Sequence, residues 1–314
     1  MDLLDIPQIP NETNYWIIRS GIESTYFDEF AMSSCIAVGW DRISDIERIG
    51  QIKDIGYVKK IVKLNYPELS AHLSPRALSR KISDISSKVY NFINELKIGD
   101  IIVTPGKDDV LIGKVSGDPY IREPFIRKKC ESFEEELIGH LNKARDVHWI
   151  KRINRKDLEP NLKLILGVYH GIAHLKNEQV ITEINRTLFD FYVKEDEGHS
   201  IFKVRTQDSI DFDKYTYFIK SLHHIYNIFR NDFEKNNLYI KSNVQSPGPI
   251  ELIGEYGLIS KIVIAANAVL KNDDTALSLL TLDDQYRIEQ YKGNNPVEYD
   301  YDDYDFPFPT YGQY

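Results

Sequence analysis

Asp108, Asp109 and Lys114, and again Glu251 with Lys261, set carboxylates beside a lysine, the combination that holds a divalent ion in a nuclease. The first set falls in a hairpin and the second lacks a paired Asp, so neither completes such a centre. His170 and His174 have the four-residue spacing that places two metal ligands on one helix face. No Glu follows His170 and no Cys pair lies near, which favours two surface histidines. His223 and His224 are adjacent and point to different helix faces, so they do not chelate. No Gly-Lys-Ser/Thr phosphate loop occurs, which leaves the chain without a nucleotide motor of its own. Cys35 and Cys130 read as small buried hydrophobes, not nucleophiles. What remains is two basic clusters: Arg122, Arg127, Lys128 and Lys129, then Lys151, Arg152, Arg155 and Lys156. Such clusters suit phosphate contacts, which position a nucleic acid without reading it. Glu131, Glu134, Glu135 and Glu136 follow the first cluster at once and make it a solvated charged surface. The second has no acidic run beside it and is the better phosphate candidate.

These residues must be carried by a chain of 314 residues, long enough for two domains. A net charge of −9 opposes a protein that coats DNA indiscriminately. Five of the acids fall in Glu298–Tyr314, which has no basic residue, so a basic patch on the body is still compatible with that total. Tyr (20), Phe (14) and Trp (3) supply core and also flat faces on which bases can stack. Two distant cysteines predict a reducing cytoplasm, and the opening residues show no signal peptide. The longest apolar stretch, Leu258 to Leu270, is broken by Ser260, Lys261 and Asn267 and is too short to span a bilayer, so no membrane partner is expected.

Periodicity places the elements. Tyr15–Arg19 and Cys35–Trp40 are expected strands, joined by a long loop. Ser74 caps a helix with Pro75 at its first position, and Leu78, Ile82, Ile85, Val89, Phe92 and Leu96 form its apolar stripe, ended by Gly99. Ile101–Val103 and Val110–Val115 form a hairpin about Pro105–Asp109. Val147–Ile153 is a further strand, and helical patterning runs from Glu178 to about Tyr192. The charged run Lys194–Gly198 is the expected domain boundary. Beyond it come a strand (Ser200–Arg205), a helix (Phe212–Arg230), two strands (Leu238–Ser242, Ile250–Ile253) and a helix (Leu258–Leu270). Gln245–Leu252, with its Ser-Pro-Gly-Pro run, is expected to be a rigid turn before a strand. The expected organisation is a domain over residues 12–195, a smaller α+β domain over 196–292, and an acidic aromatic disordered tail over 293–314. The tail is read as plainly disordered or as docking on a basic surface.

Four segments, in this order, resemble the PUA-like superfamily, especially the EVE and YTH modified-base readers and the N-terminal domains of modification-dependent restriction systems. They are Tyr15-Trp16-Ile17-Ile18-Arg19-Ser20-Gly21 with Tyr26–Phe30, then Ile36-Ala37-Val38-Gly39-Trp40, then Gly99–Lys107 with Leu111–Val115 and Asp118–Tyr120, and last His148–Ile153 with Arg155–Leu158. The resemblance implies an α+β chain whose first domain is a PUA-like, EVE-like pseudobarrel that holds a flipped, modified base between aromatic side chains. It implies Trp16, Trp40 and Trp149 as base-binding residues, with Tyr26, Phe27 and Tyr120 behind them and Ser20 and Thr104 as polar contacts. Each tryptophan has a second reading, as core. Lys107 joins Lys151, Arg152, Arg155 and Lys156 as a phosphate contact, or is an ordinary exposed hairpin charge. The partner implied is DNA or RNA carrying a modified base, sensed in anti-phage defence, and the second domain is expected either to form a homo-oligomer or to pass the signal to a separate effector protein. No cofactor is expected. The rival expectation is a modification-dependent endonuclease with its catalytic residues in 196–290.

Overall fold

The computed structural model describes residues 6–122, 141–167, 171–204, 211–242 and 249–296, with the backbone of 304 and 305. The chain divides into two compact units, Thr13–Leu188 and a second built from Met1–Glu12 with Phe189–Tyr314. A short strand β1 (Gln8–Ile9) belongs to the second unit.

The first unit contains β2 (Tyr15–Ile18), α1 (Phe27–Met32), β3 (Cys35–Val38), α2 (Ile46–Ile52), α3 (Ile55–Asn65), α4 (Leu69–His72) and α5 (Pro75–Tyr90). These are followed by β4 (Ile101–Pro105), β5 (Asp109–Val115), β6 (Tyr120–Ile121), β7 (Lys143–Asn154), α6 (Pro160–Ile165), β8 (Ile172–Leu175) and α7 (Glu178–Leu188). The strands form one mixed sheet, ordered β3-β7-β5-β4-β2-β8, with β6 paired to β7. Only the β2–β4 pair in it is parallel. The sheet curls into a half-barrel. At Gly113 the β5–β7 register shifts, and an added Cβ would lie 2.6 Å from the His148 carbonyl. Glycine is therefore required where β5 bends against β7.

The apolar stripe of α5 does what its spacing dictates. Ser74 accepts from the Ala77 amide, Pro75 opens the helix, and Ile82, Ile85, Val89, Phe92 and Leu96 are buried. The helix ends in a wider π-turn over Asn91–Glu95. Buried Arg145 closes that end, donating to the carbonyls of Phe92 (2.9 Å) and Ile93 (3.1 Å), which no longer have helical partners. α2 and α3 are set by side-chain caps: Asp45 accepts from Arg48 N, and Asp54 from Gly56 N and Tyr57 N.

The second unit is also mixed α and β. It holds β9 (Phe191–Lys194), β10 (Glu197–Val204), α8 (Phe212–Phe229), β11 (Leu238–Ser242), β12 (Pro249–Glu255), α9 (Tyr256–Leu270), α10 (Asp274–Ser278), α11 (Leu282–Asn294) and β13 (Tyr304–Asp305). Its sheet runs β1-β9-β10-β12-β11, with β13 on β10. α9 is buried along nearly its whole length and forms the core with Phe202, Phe218 and Phe229.

Three expectations need correction. The helix expected to reach Tyr192 stops at Leu188, and the aromatic and β-branched run Phe191–Val193 is strand. The charged run at 194–198 is not a linker. It is the turn of the β9–β10 hairpin, with Glu195 (φ 53°) and Asp196 (φ 65°) in the paired left-handed conformation of a tight hairpin. In the expected tail, 293 and 294 end α11 and 304–305 pair with β10. Most of that tail lies outside the described residues, as do Cys130, the Arg127–Lys129 cluster, His170 and Gln245–Gly248.

Candidate functional site

The two edge strands of the first sheet, β3 and β8, approach one cavity of about 280 Å³. From the β3 end come Ala37, Val38, Gly39 and Trp40; from the β2 and β8 side come Arg19, Gly21, Ile22, Gly171 and Ile172. Lys81 and Lys88, seven residues apart on one face of α5, and Leu141 complete it. The lining thus holds one aromatic wall and three cationic side chains, with no carboxylate among them.

Local sequence explains each wall. β2 stops at Ile18, and Arg19 is fixed by its amide on the Gly171 carbonyl (2.9 Å) and its guanidinium on the Leu166 carbonyl (2.6 Å). Gly21 has φ 86°, and a Cβ there would come within 2.8 Å of the Tyr26 ring. Only glycine turns the chain so tightly beneath that ring. Past β3, Trp40 takes φ 60°, a left-handed conformation rare for a non-glycine residue. Its carbonyl accepts from the Ile43 amide (2.9 Å) and from the Lys143 ammonium (2.9 Å). Trp40 is half-buried and packs on the core, and Lys88 Nζ stands 5.6 Å from its ring centroid. Lys88 also pairs with Asp84 at 2.7 Å, and its stem runs over Gly171. The Lys88 ammonium thus makes a cation–π contact with the Trp40 indole.

Of the residues expected at a base pocket, Trp40 lines the cavity and the rest do not. Trp16 is 2% exposed, stacked on His174 (centroids 4.5 Å apart), and its indole N–H donates to Asp100 at 2.9 Å. Burial is the main cause of the lowered pKa of His174. Trp149 donates to the Phe30 carbonyl (2.9 Å) and packs across Gly113. Tyr26 and Phe27 are buried against Gly21 and Gly106. Tyr120 is exposed and donates to Asp146 (2.8 Å); burial of its hydroxyl and that carboxylate push its pKa up to about 12. Ser20 and Thr104 are fully buried, and their hydroxyls have no partner among the described residues.

The second basic cluster lies where the β4–β5 turn meets the end of β7. Arg152 pairs with Asp109 (2.7 Å) and covers the Phe27 ring at 5.3 Å, while Arg155 donates to the Gly106 carbonyl. Lys151 donates to the Thr187 carbonyl at 2.6 Å. Lys107 and Lys156 are exposed. Arg122, from the first cluster, donates to Cys35 Sγ at 2.8 Å.

The nuclease candidates are engaged elsewhere. Asp109 holds Arg152. Glu251, fully buried, accepts from Tyr192 and pairs with His199 at 2.9 Å. Lys261 binds Asp284 at 2.8 Å beside Asp232. Among the described residues no group of three or more His, Cys, Asp or Glu side chains is placed to hold a metal ion. No helix there is long and apolar enough to cross a membrane.

Sequence reasoning missed Lys81, Lys88, Arg19 and Lys143. The spacing of Lys81 and Lys88 on the polar side of a strongly amphipathic helix was a usable signal. Lys143 gave none.

Residues 16–164 match the model of a family described as a domain of unknown function (DUF8426). That span includes Arg19, Trp40, Lys81, Lys88 and Lys143, and it ends before Gly171 and Ile172. No curated protein matches the chain.

Proposed function

We propose that the cavity of the first unit receives a single nucleobase of DNA or RNA, flipped or modified, stacked on Trp40 with its phosphates near Arg19, Lys81 and Lys88. The observation that carries this reading is the joining of one half-buried indole and three cations in the lining of one cavity, between the two edges of a curled sheet. A volume of about 280 Å³ lies just below the usual range of ligand sites, roughly 300 to 1,000 Å³. It suits one ring system, not an extended substrate. An aromatic face accepts any base, and the rest of the lining then selects. The half-barrel, the order of the four motifs and the position of α5 support a PUA-like, EVE-like pseudobarrel. Lys107 and Lys156 extend the cationic surface as outer phosphate contacts. On this reading the protein senses modified or foreign nucleic acid, and the second unit serves oligomerisation or an effector partner.

The test is equilibrium binding to a series of labelled single- and double-stranded oligonucleotides that differ only in one modified base. Binding that depends on the modification and weakens with salt is expected. Equal, weak binding to every member would contradict base recognition.

A further inference from the structure

Lys143 is a lysine with no solvent exposure, one of the largest fully buried side chains in the chain. Its ammonium donates to the carbonyls of Trp40 (2.9 Å) and Ile43 (3.0 Å) and to the Asn142 side-chain oxygen (2.9 Å). Three N–H donors meet three acceptors, which satisfies the group completely. Two of those acceptors are the carbonyls that open and close the turn after β3, the turn in which Trp40 adopts its left-handed conformation. Burying a charge is costly, and an apolar side chain of this length would serve a merely structural position as well.

We propose that Lys143 is a positioning residue for the cavity: its ammonium holds the Trp40–Ile43 turn and thereby fixes the indole wall against which the ligand stacks. The proposal rests on the reading of the cavity as a base site, although the pinning of Trp40 itself can be measured without a ligand.

Burial draws the Lys143 pKa down to about 8, with Asp41 of the same turn acting in the opposite direction. Asp41 is itself fixed to the strand, accepting from the Asn142 amide (3.2 Å). Lys88, paired with Asp84, stands over the Trp40 ring. Loss of the Lys143 proton removes one of three donors, so one carbonyl or the Asn142 oxygen loses its partner. The folded-state value lies below the ordinary 10.5, so between these values the unfolded chain binds more protons. This group therefore adds stability as pH rises through that window.

The experiment uses the full chain labelled with 5-fluorotryptophan and followed by fluorine NMR from about pH 7 to about 9.5, a range set by the shifted lysine. Trp40→Phe assigns the Trp40 signal. The Trp40 resonance should move with a midpoint near 8 while those of Trp16 and Trp149 stay put. In Lys143→Met the Trp40 resonance should be displaced and no longer titrate, and oligonucleotide affinity at neutral pH should fall about tenfold. If Lys143→Met does not fold, Lys143→Arg, which keeps the charge and displaces the donors, is read in its place. A Trp40 resonance unmoved by the substitution overturns the proposal. A Trp40 resonance that is displaced in Lys143→Met, in a protein that binds no oligonucleotide, upholds the positioning role and removes the base-site reading.

Discussion

Trp16 and Trp40 lie in adjacent motifs of one unit, and each is held by a buried charged group, yet the two regions have opposite outcomes. At Trp16 the charge is a carboxylate that bonds the indole itself. Asp100, 2% exposed, accepts from the Trp16 side chain and from the amides of Asn14 and Lys97, and His174 covers the ring. At Trp40 the charge is an ammonium that bonds the backbone carbonyl and leaves the ring half-exposed beside a cavity. At Trp16 the indole N–H is bonded inside the core, whereas at Trp40 the backbone carbonyl is bonded and the half-buried ring lines the cavity. The same residue type is thus enclosed in one place and lines a cavity in the other.

Breaking the core region should give the largest effect. Trp16→Ala is expected to lower unfolding stability by about 3–5 kcal/mol, the cost of truncating a buried aromatic. Thermal or denaturant unfolding measures it, and a change below about 1 kcal/mol would mean that Trp16 is not core. Asp100→Asn keeps the shape and removes the charge. It should cost roughly 1.5–3 kcal/mol through the weakened bonds to Trp16, Asn14 and Lys97, measured the same way, with little change in the cavity. At the cavity the smallest effect is expected from Lys81→Ala, a change at an exposed side chain of α5. Stability should hold, and the slope of log affinity against log salt should flatten by about 0.7–0.9 for one lost phosphate contact. An unchanged slope would place Lys81 outside the phosphate path.

The contrast also explains what could be read from the sequence. The α5 stripe and the β4–β5 hairpin were legible because periodicity and turn residues agree over many positions. The hairpin turn at Glu195–Asp196 was not, because two acids in left-handed conformation carry the same letters as a charged linker. The three tryptophans were visible as candidates, but their fates depend on partners far away in sequence. Asp100 is 84 residues from Trp16 and Lys143 is 103 residues from Trp40. Lys143 carries no local mark in the sequence that separates it from an exposed lysine. Ser20 and Thr104 were legible as polar groups near the loops, though both prove fully enclosed.

The most direct measurement of the central claim is the binding of Trp40→Ala and its parent to the same modified oligonucleotide, with unfolding recorded in parallel. Loss of one stacked base should weaken binding by about 1–3 kcal/mol, roughly five- to 150-fold, while stability changes by about 1 kcal/mol, because the ring is only half-buried. Equal affinity of the two proteins, or a loss of binding that merely follows unfolding, would contradict Trp40 as the wall of a base site.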